Sequence, residues 1–245
     1  MIVYLYDGSF YGLLTCIYES YYNAKKPTEI FKSCNFSPEL FHDIIHIKTD
    51  DIKSKKVEEG ITSKLNKETL NLIYYAYLSG NKYIDTLILK YLRLAFKIGP
   101  LINSYLHNSI VLNISKEIKK VQFEVHRMEG FIRFSSLENN TLYSTIEPTN
   151  NILPLIMPHF INRLPNETFV IHDLRRNLLG IYKNKKWIIE ELSDPVVLND
   201  NINDDFQELF KTYFNHTTIK ERKNPRLQKS YMPKKYWKHM FEVNE

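Results

Sequence analysis

The last thirty residues carry the densest chemistry in this chain. From His216 onward eight basic residues (Lys220, Arg222, Lys223, Arg226, Lys229, Lys234, Lys235 and Lys238) stand against three Glu, a surplus of five positive charges that equals the formal net charge of +5 of the whole chain. Tyr231, Tyr236, Trp237 and Phe241 are interleaved with these cations. Lys and Arg displace counterions condensed on a polyanion, and flat rings hold unpaired bases by stacking, so the mixture suits a segment that tracks nucleic acid. The plainer reading of the same residues is a solvated tail with an aromatic anchor docked on the core.

Acid–base chemistry has fewer carriers. Glu147, His159, His172 and Asp173 are the candidates. A His beside an Asp can act as an oriented general base, but consecutive residues of a strand point to opposite faces, so His172 and Asp173 are not expected to touch. Arg175 and Arg176 follow in a polar turn, where a guanidinium fork matches two phosphate oxygens and the turn by itself needs neither. His126 and Arg127 end a helical pattern; they complement a helix dipole or contact phosphate. Arg133, Lys223, Asn224 and the tail residues named above complete the nucleic-acid candidates. His107, His126, His159 and His172 lie in no HExxH or Cys/His spacing, so neither a metal nor a cofactor is expected. GxGxxG, GxxxxGK[ST] and GxSxG are all absent, and seven glycines leave little for a phosphate-cradling loop.

The elements that must position these residues follow from the hydrophobic period. With 245 residues, 43% of them hydrophobic and 25% charged, the chain can bury one large core or two small ones. IVYLY at 2–6 reads as a strand running into Asp7-Gly8, after which Ser9 caps a helix over Phe10–Asn23. A second strand is expected at Ile44–Lys48. Leu70, Ile73, Tyr74, Tyr77 and Leu78 make one helical face; Ile84, Leu87, Ile88, Tyr91, Leu92 and Ala95 make another after Ser79-Gly80. Ile114, Ile118, Val121, Val125 and Met128 form the seam of a third helix, with Gly130 as a left-handed C-cap. The period then alternates: FIRFSS and LYSTIEP read as a hairpin around Glu138-Asn139-Asn140. A short helix over Ile152–Arg163, interrupted by Pro154 and Pro158, precedes three strands in TFVIHD, LLGIYK and KWIIEEL. An amphipathic helix over Asp204–Phe214 leads into the basic tail. The fold class expected is α+β, a helical lobe beside a mostly antiparallel sheet with a basic C-terminal tail. Its divisions are an N-terminal strand–helix unit at 1–50, a helical lobe at 51–129, the sheet with its crossover helix at 130–215, and the basic, aromatic segment at 216–245. Two cysteines, Cys16 and Cys34, in no metal or redox spacing fit a reducing, cytoplasmic setting, and no apolar run is long enough for a membrane span.

Five ordered segments resemble a bacterial family of unknown biochemical activity whose members are described as DNA repair or DNA metabolism proteins. They are YDGSFYGLLTCIYESY near the N-terminus, HRMEGFIRF at His126–Phe134, the run Ile146–Phe160 ending in PHF, IHDLRR at Ile171–Arg176, and ERKNPRLQKSYMPKKYWKHM at the end. The motif residues present include His126, Arg127, Arg133, Glu147, His159, His172, Asp173, Arg175, Arg176, Asn224, Pro225, Arg226, Tyr236 and Trp237. The resemblance implies a DNA-linked role: members are typically encoded beside a radical-SAM protein of DNA modification or repair, and similar domains are fused to uracil-DNA-glycosylase-like domains. It brings no catalytic set with it. The expectation is a DNA-binding accessory partner of a radical-SAM enzyme, in which Tyr236 or Trp237 stacks on a flipped or single-stranded base. The alternatives are a nucleic-acid-acting enzyme using the His and Glu residues above, and a pure protein-interaction module.

Overall fold

β1 (Ile2–Tyr6) is buried on both faces, as a central strand of a parallel sheet must be. It lies between β2 (Glu29–Lys32) and β3 (Asp43–His46), both parallel to it. A parallel pair requires a crossover, and α1 (Phe10–Tyr22) provides the one between β1 and β2. Its start is set locally: Ser9 Oγ accepts the Gly12 amide at 2.9 Å, and Asp7 Oδ1 accepts the Ser9 amide at 2.9 Å and its hydroxyl at 2.7 Å. β2 has no counterpart in the sequence reading. EIFK is too short to display a period, and only its pairing from Val3↔Glu29 to Tyr6↔Lys32 makes it a strand.

A computed structural model describes residues 1–38, 42–137, 140–192, 212 and 224–240. The chain divides into two compact units, Met1–Gln122 and Phe123–Glu245. In the first, α2 (Asp51–Lys64), α3 (Lys67–Tyr77), α4 (Ile84–Ile98) and the beginning of α5 (Ser109–Phe131) share one core with the small sheet, through Tyr4, Leu13, Ile30, Ile61, Ile73, Ile88 and Ile114. Each such side chain contributes about 1.5–3 kcal/mol on burial. Asp50 and Asn66 cap α2 and α3 by accepting amides of the first turn. Gly99 closes α4 at φ +90°, a backbone conformation that favours glycine. Gly130 does not play the C-cap role expected of it. α5 runs through it to Phe131 without a positive φ, and the Ile132 amide still bonds Met128.

The second unit holds a five-stranded sheet in the order β4 (Ser135–Ser136), β5 (Leu142–Ile146), β6 (Phe169–Asp173), β7 (Leu178–Lys183), β8 (Lys186–Glu191). Only β5 and β6 are parallel; α6 (Leu153–Arg163) makes their crossover, and the other three pairings are antiparallel. The fold class is α+β, with a mostly antiparallel main sheet. The expected hairpin after α5 is shortened to a two-residue β4, because the helix takes up Phe131 and its final bond reaches Ile132. β7 and β8 meet through Asn184 and Lys185, both at positive φ, which matches a type I′ turn. α6 packs on β7 at Gly180, where an added Cβ would stand 2.6 Å from Met157 Sδ and 3.1 Å from Leu153 Cδ1. The expected helix over Asp204–Phe214 falls outside the described residues except for Thr212. At the C-terminus, α7 (Pro225–Tyr231) is capped by Asn224, whose side chain accepts the Leu227 amide at 3.0 Å, and a 3-10 turn follows over Lys234–His239.

Candidate nucleic-acid interface

The C-terminal segment is fixed to the second unit by a carboxylate that the sequence reading did not single out. Glu124, on α5, is 5% exposed. Its Oε1 accepts the Thr149 amide at 2.8 Å and the Tyr236 hydroxyl at 2.5 Å, while Oε2 accepts the Asn150 amide and side-chain Nδ2, each at 2.7 Å. Lys235 Nζ lies 3.3 Å from Oε1 and donates to Thr149 Oγ1 at 2.7 Å. A buried carboxylate is tolerated when donors surround it. Burial acts to raise the Glu124 pKa, but the Tyr236 hydroxyl, the two amides and Lys235 outweigh it and hold the group below its ordinary value. Tyr236 responds in the opposite sense: burial and the Glu124 carboxylate raise its pKa against the influence of Arg127, so it remains a donor.

A second attachment lies at the end of β5. His239 Nδ1 and Thr145 Oγ1 are 3.0 Å apart, Lys238 pairs with Glu147, and Met240 is buried. The basic candidates therefore divide into two groups. Lys235 and Lys238 are engaged by buried or half-buried carboxylates, and Arg133 donates to the carbonyls of Gly130 at 2.7 Å and Ile132 at 3.2 Å. Arg176 bonds Asp173 Oδ2 at 3.0 Å, the Pro148 carbonyl at 3.2 Å and the Thr149 carbonyl at 2.6 Å, so it clamps its own turn. By contrast Arg175, Arg226, Lys229 and Lys234 are exposed and form no ion pair among the described residues. Arg222 and Lys223 lie outside the described residues.

The aromatic residues divide too. Tyr236 is 2% exposed, with its ring 5.8 Å from Phe131 and its hydroxyl on Glu124, so it cannot offer a face to a base. That expected role is corrected by the need of Glu124 for a donor. Trp237 is half-buried, its indole N–H donating to the Met232 carbonyl at 2.8 Å, with Lys234 Nζ 5.9 Å from the ring centre. Tyr231 is 69% exposed and, among the described residues of the segment, is the most open ring.

The acid–base candidates are held by separate partners. Glu147 pairs with Lys238 and lies 3.8 Å from His239 Nε2. His159 Nδ1 is 3.8 Å from Glu129, which also lies 3.9 Å from the exposed His126. His126 and Arg127 sit before the last turn of α5 rather than in it, since the helix continues to Phe131. His172 Nδ1 is 2.8 Å from the Tyr143 hydroxyl, and burial holds its pKa below the ordinary imidazole value against opposing influences from Asn177 and Asp173. Asp173 organises the turn after β6: Oδ1 accepts the amides of Arg175 at 3.0 Å and Arg176 at 3.3 Å. Burial raises its pKa, only partly countered by Arg176. As the strand geometry required, His172 and Asp173 are bonded to different partners. Among the described residues no group of three or more His, Cys, Asp or Glu is arranged to hold a metal.

Glu124 had a legible signal. It stands three residues after Val121 and four before Met128, in phase with an apolar seam, where an acid must find donors. Thr149 and Asn150, which supply those donors from the loop after β5, had none.

No helix among the described residues is long and apolar enough to cross a membrane. No curated protein and no solved structure matches the chain. The family model for DUF4130, a domain of unknown function, matches residues 82–242, from just before α4 into the C-terminal segment, and with roughly two-thirds of its length so matched the chain belongs to that family.

Proposed function

We propose that this chain is a DNA-binding accessory protein whose C-terminal segment tracks the phosphate backbone and presents DNA to a radical-SAM enzyme. The observation that carries this reading is the division among its cations. Glu124 and Glu147 engage Lys235 and Lys238, while Arg226, Lys229 and Lys234, on the same segment as the exposed Tyr231, are exposed and form no ion pair among the described residues. A strap that merely closed the fold would need only the engaged lysines. Exposed cations beside an exposed ring on an anchored segment suit phosphate contact with base stacking, and such contacts give affinity without sequence choice. The radical-SAM partner rests on the family resemblance; with one cysteine buried and the other alone, this chain has no thiolate set for an iron–sulfur cluster.

The test is fluorescence anisotropy with labelled single-stranded and duplex DNA over a salt series. It compares the wild type with a variant carrying Arg175→Gln, Arg226→Gln, Lys229→Gln and Lys234→Gln. Each phosphate contact contributes roughly 0.7–0.9 to the slope of log K against log salt, so the variant should lose about 3 of slope. An unchanged slope refutes the reading. A Lys235→Gln, Lys238→Gln variant should change stability more than slope.

A further inference from the structure

Within Met1–Gln122 a cleft of about 460 Å³ opens beside α1 and α2, a size suited to a small ligand. Tyr18, Tyr21 and Tyr22 stand at i, i+3 and i+4 on α1 and so share a face. Tyr18 and Tyr22 stack with centroids 4.4 Å apart at 29°, and Tyr21 meets Phe96 of α4 edge-on at 6.2 Å. Tyr22 is 74% exposed, an open ring face continuing an existing stack. Across the cleft, Lys56, Gly60 and Lys64 recur every fourth residue on α2. Both lysines are exposed, Lys56 Nζ is 5.8 Å from the Tyr18 ring centre, and among the described residues no acidic side chain lines the cleft. At Gly60 an added Cβ would meet no atom within 4 Å, so the space between the lysines is open.

We propose that this cleft takes an unpaired base of single-stranded DNA, stacked against the tyrosines over Gly60, with the flanking phosphates on Lys56 and Lys64. Rings joined to cations with no opposing acid select a flat, anionic ligand. A partner helix would be met by branched aliphatic side chains along the walls, whereas here Ile17 and Val57 lie buried at the floor. The inference rests on the DNA-binding reading and adds a second contact, made by residues outside the C-terminal segment.

Gly60→Leu fills the cleft from inside α2 and replaces glycine with a better helix former, so loss of binding cannot be put down to unfolding. Binding of an oligothymidine fifteen nucleotides long, and of an abasic strand of equal length, would be measured for the wild type, Gly60→Leu, Tyr22→Ala, and an Arg226→Gln, Lys229→Gln, Lys234→Gln variant. The proposal expects Gly60→Leu and Tyr22→Ala to weaken oligothymidine binding roughly tenfold with little change on the abasic strand. Wild-type affinity in both cleft variants, with loss only in the C-terminal variant, would overturn the cleft assignment and leave the DNA reading standing. Loss in the cleft variants alone would uphold the cleft and refute the C-terminal contact. Absence of binding by the wild type to either strand would overturn both.

Discussion

Replacing Glu124 by Gln tests the attachment on which the site depends, and the structure sets the size of the effect. The carboxylate accepts five hydrogen bonds, one of them from Lys235 Nζ. A carboxamide has one acceptor face. Its oxygen is best placed toward Asn150, which offers a backbone and a side-chain N–H donor, each at 2.7 Å. The amide nitrogen then faces Thr149 N–H and the Lys235 ammonium, while the Tyr236 hydroxyl can rotate to accept. One part-buried backbone donor is left unpaired, at up to about 1–3 kcal/mol, and the charge-assisted contribution of the remaining bonds is reduced. We expect a loss of about 3 kcal/mol. Urea unfolding should report it as a lower midpoint at unchanged slope. Trp237, half-buried in the attached segment, supplies a fluorescence signal, and Trp187→Phe removes the other tryptophan. Limited proteolysis should cut the segment faster in the variant. Tyr236→Phe, which removes a single donor to the same carboxylate, should cost about half as much. The pH dependence has a defined sign: because the folded pKa of Glu124 lies below its unfolded value, its contribution is present at neutral pH and is lost as pH falls through the folded value. A Glu124→Gln unfolding free energy within about 0.5 kcal/mol of wild type at neutral pH would refute the reasoning.

Two further substitutions probe the first unit. Asp85 is 2% exposed and burial pushes its pKa up to about 6, with Lys32 and then Tyr6 opposing. Its ionised form therefore disfavours folding, so stability should fall as pH rises from about 4 to 6; Asp85→Asn should remove that fall and gain up to about 3 kcal/mol at pH 7, read by chemical denaturation across pH. Gly12→Ala would set a Cβ 2.3 Å from Asp7 Oδ1, 2.7 Å from Tyr6 Cδ2 and 2.8 Å from Thr49 Oγ1. The clash displaces the carboxylate that holds Ser9 and outweighs the gain in helix propensity, so a loss of about 2 kcal/mol is expected by thermal or urea unfolding, and a variant at least as stable as wild type would refute it.

Where a residue's role follows from near neighbours, the chain alone determined it. Ser9 caps α1 because the amides it must satisfy lie within the next turn. The apolar periods of α3 to α5 state which face is buried. The concentration of charge at the C-terminus is equally a property of composition. Tertiary structure decided what depends on partners distant in sequence. EIFK became β2 only by pairing with β1. Gly130 stayed inside α5 because a glycine permits a helix end without requiring one. Which lysines remain open to a ligand, and that Tyr231 rather than Tyr236 presents a ring, followed from a buried Glu124 more than a hundred residues away. A side chain's availability is set by what it must satisfy in the folded chain, and satisfying a buried carboxylate takes donors from several elements at once.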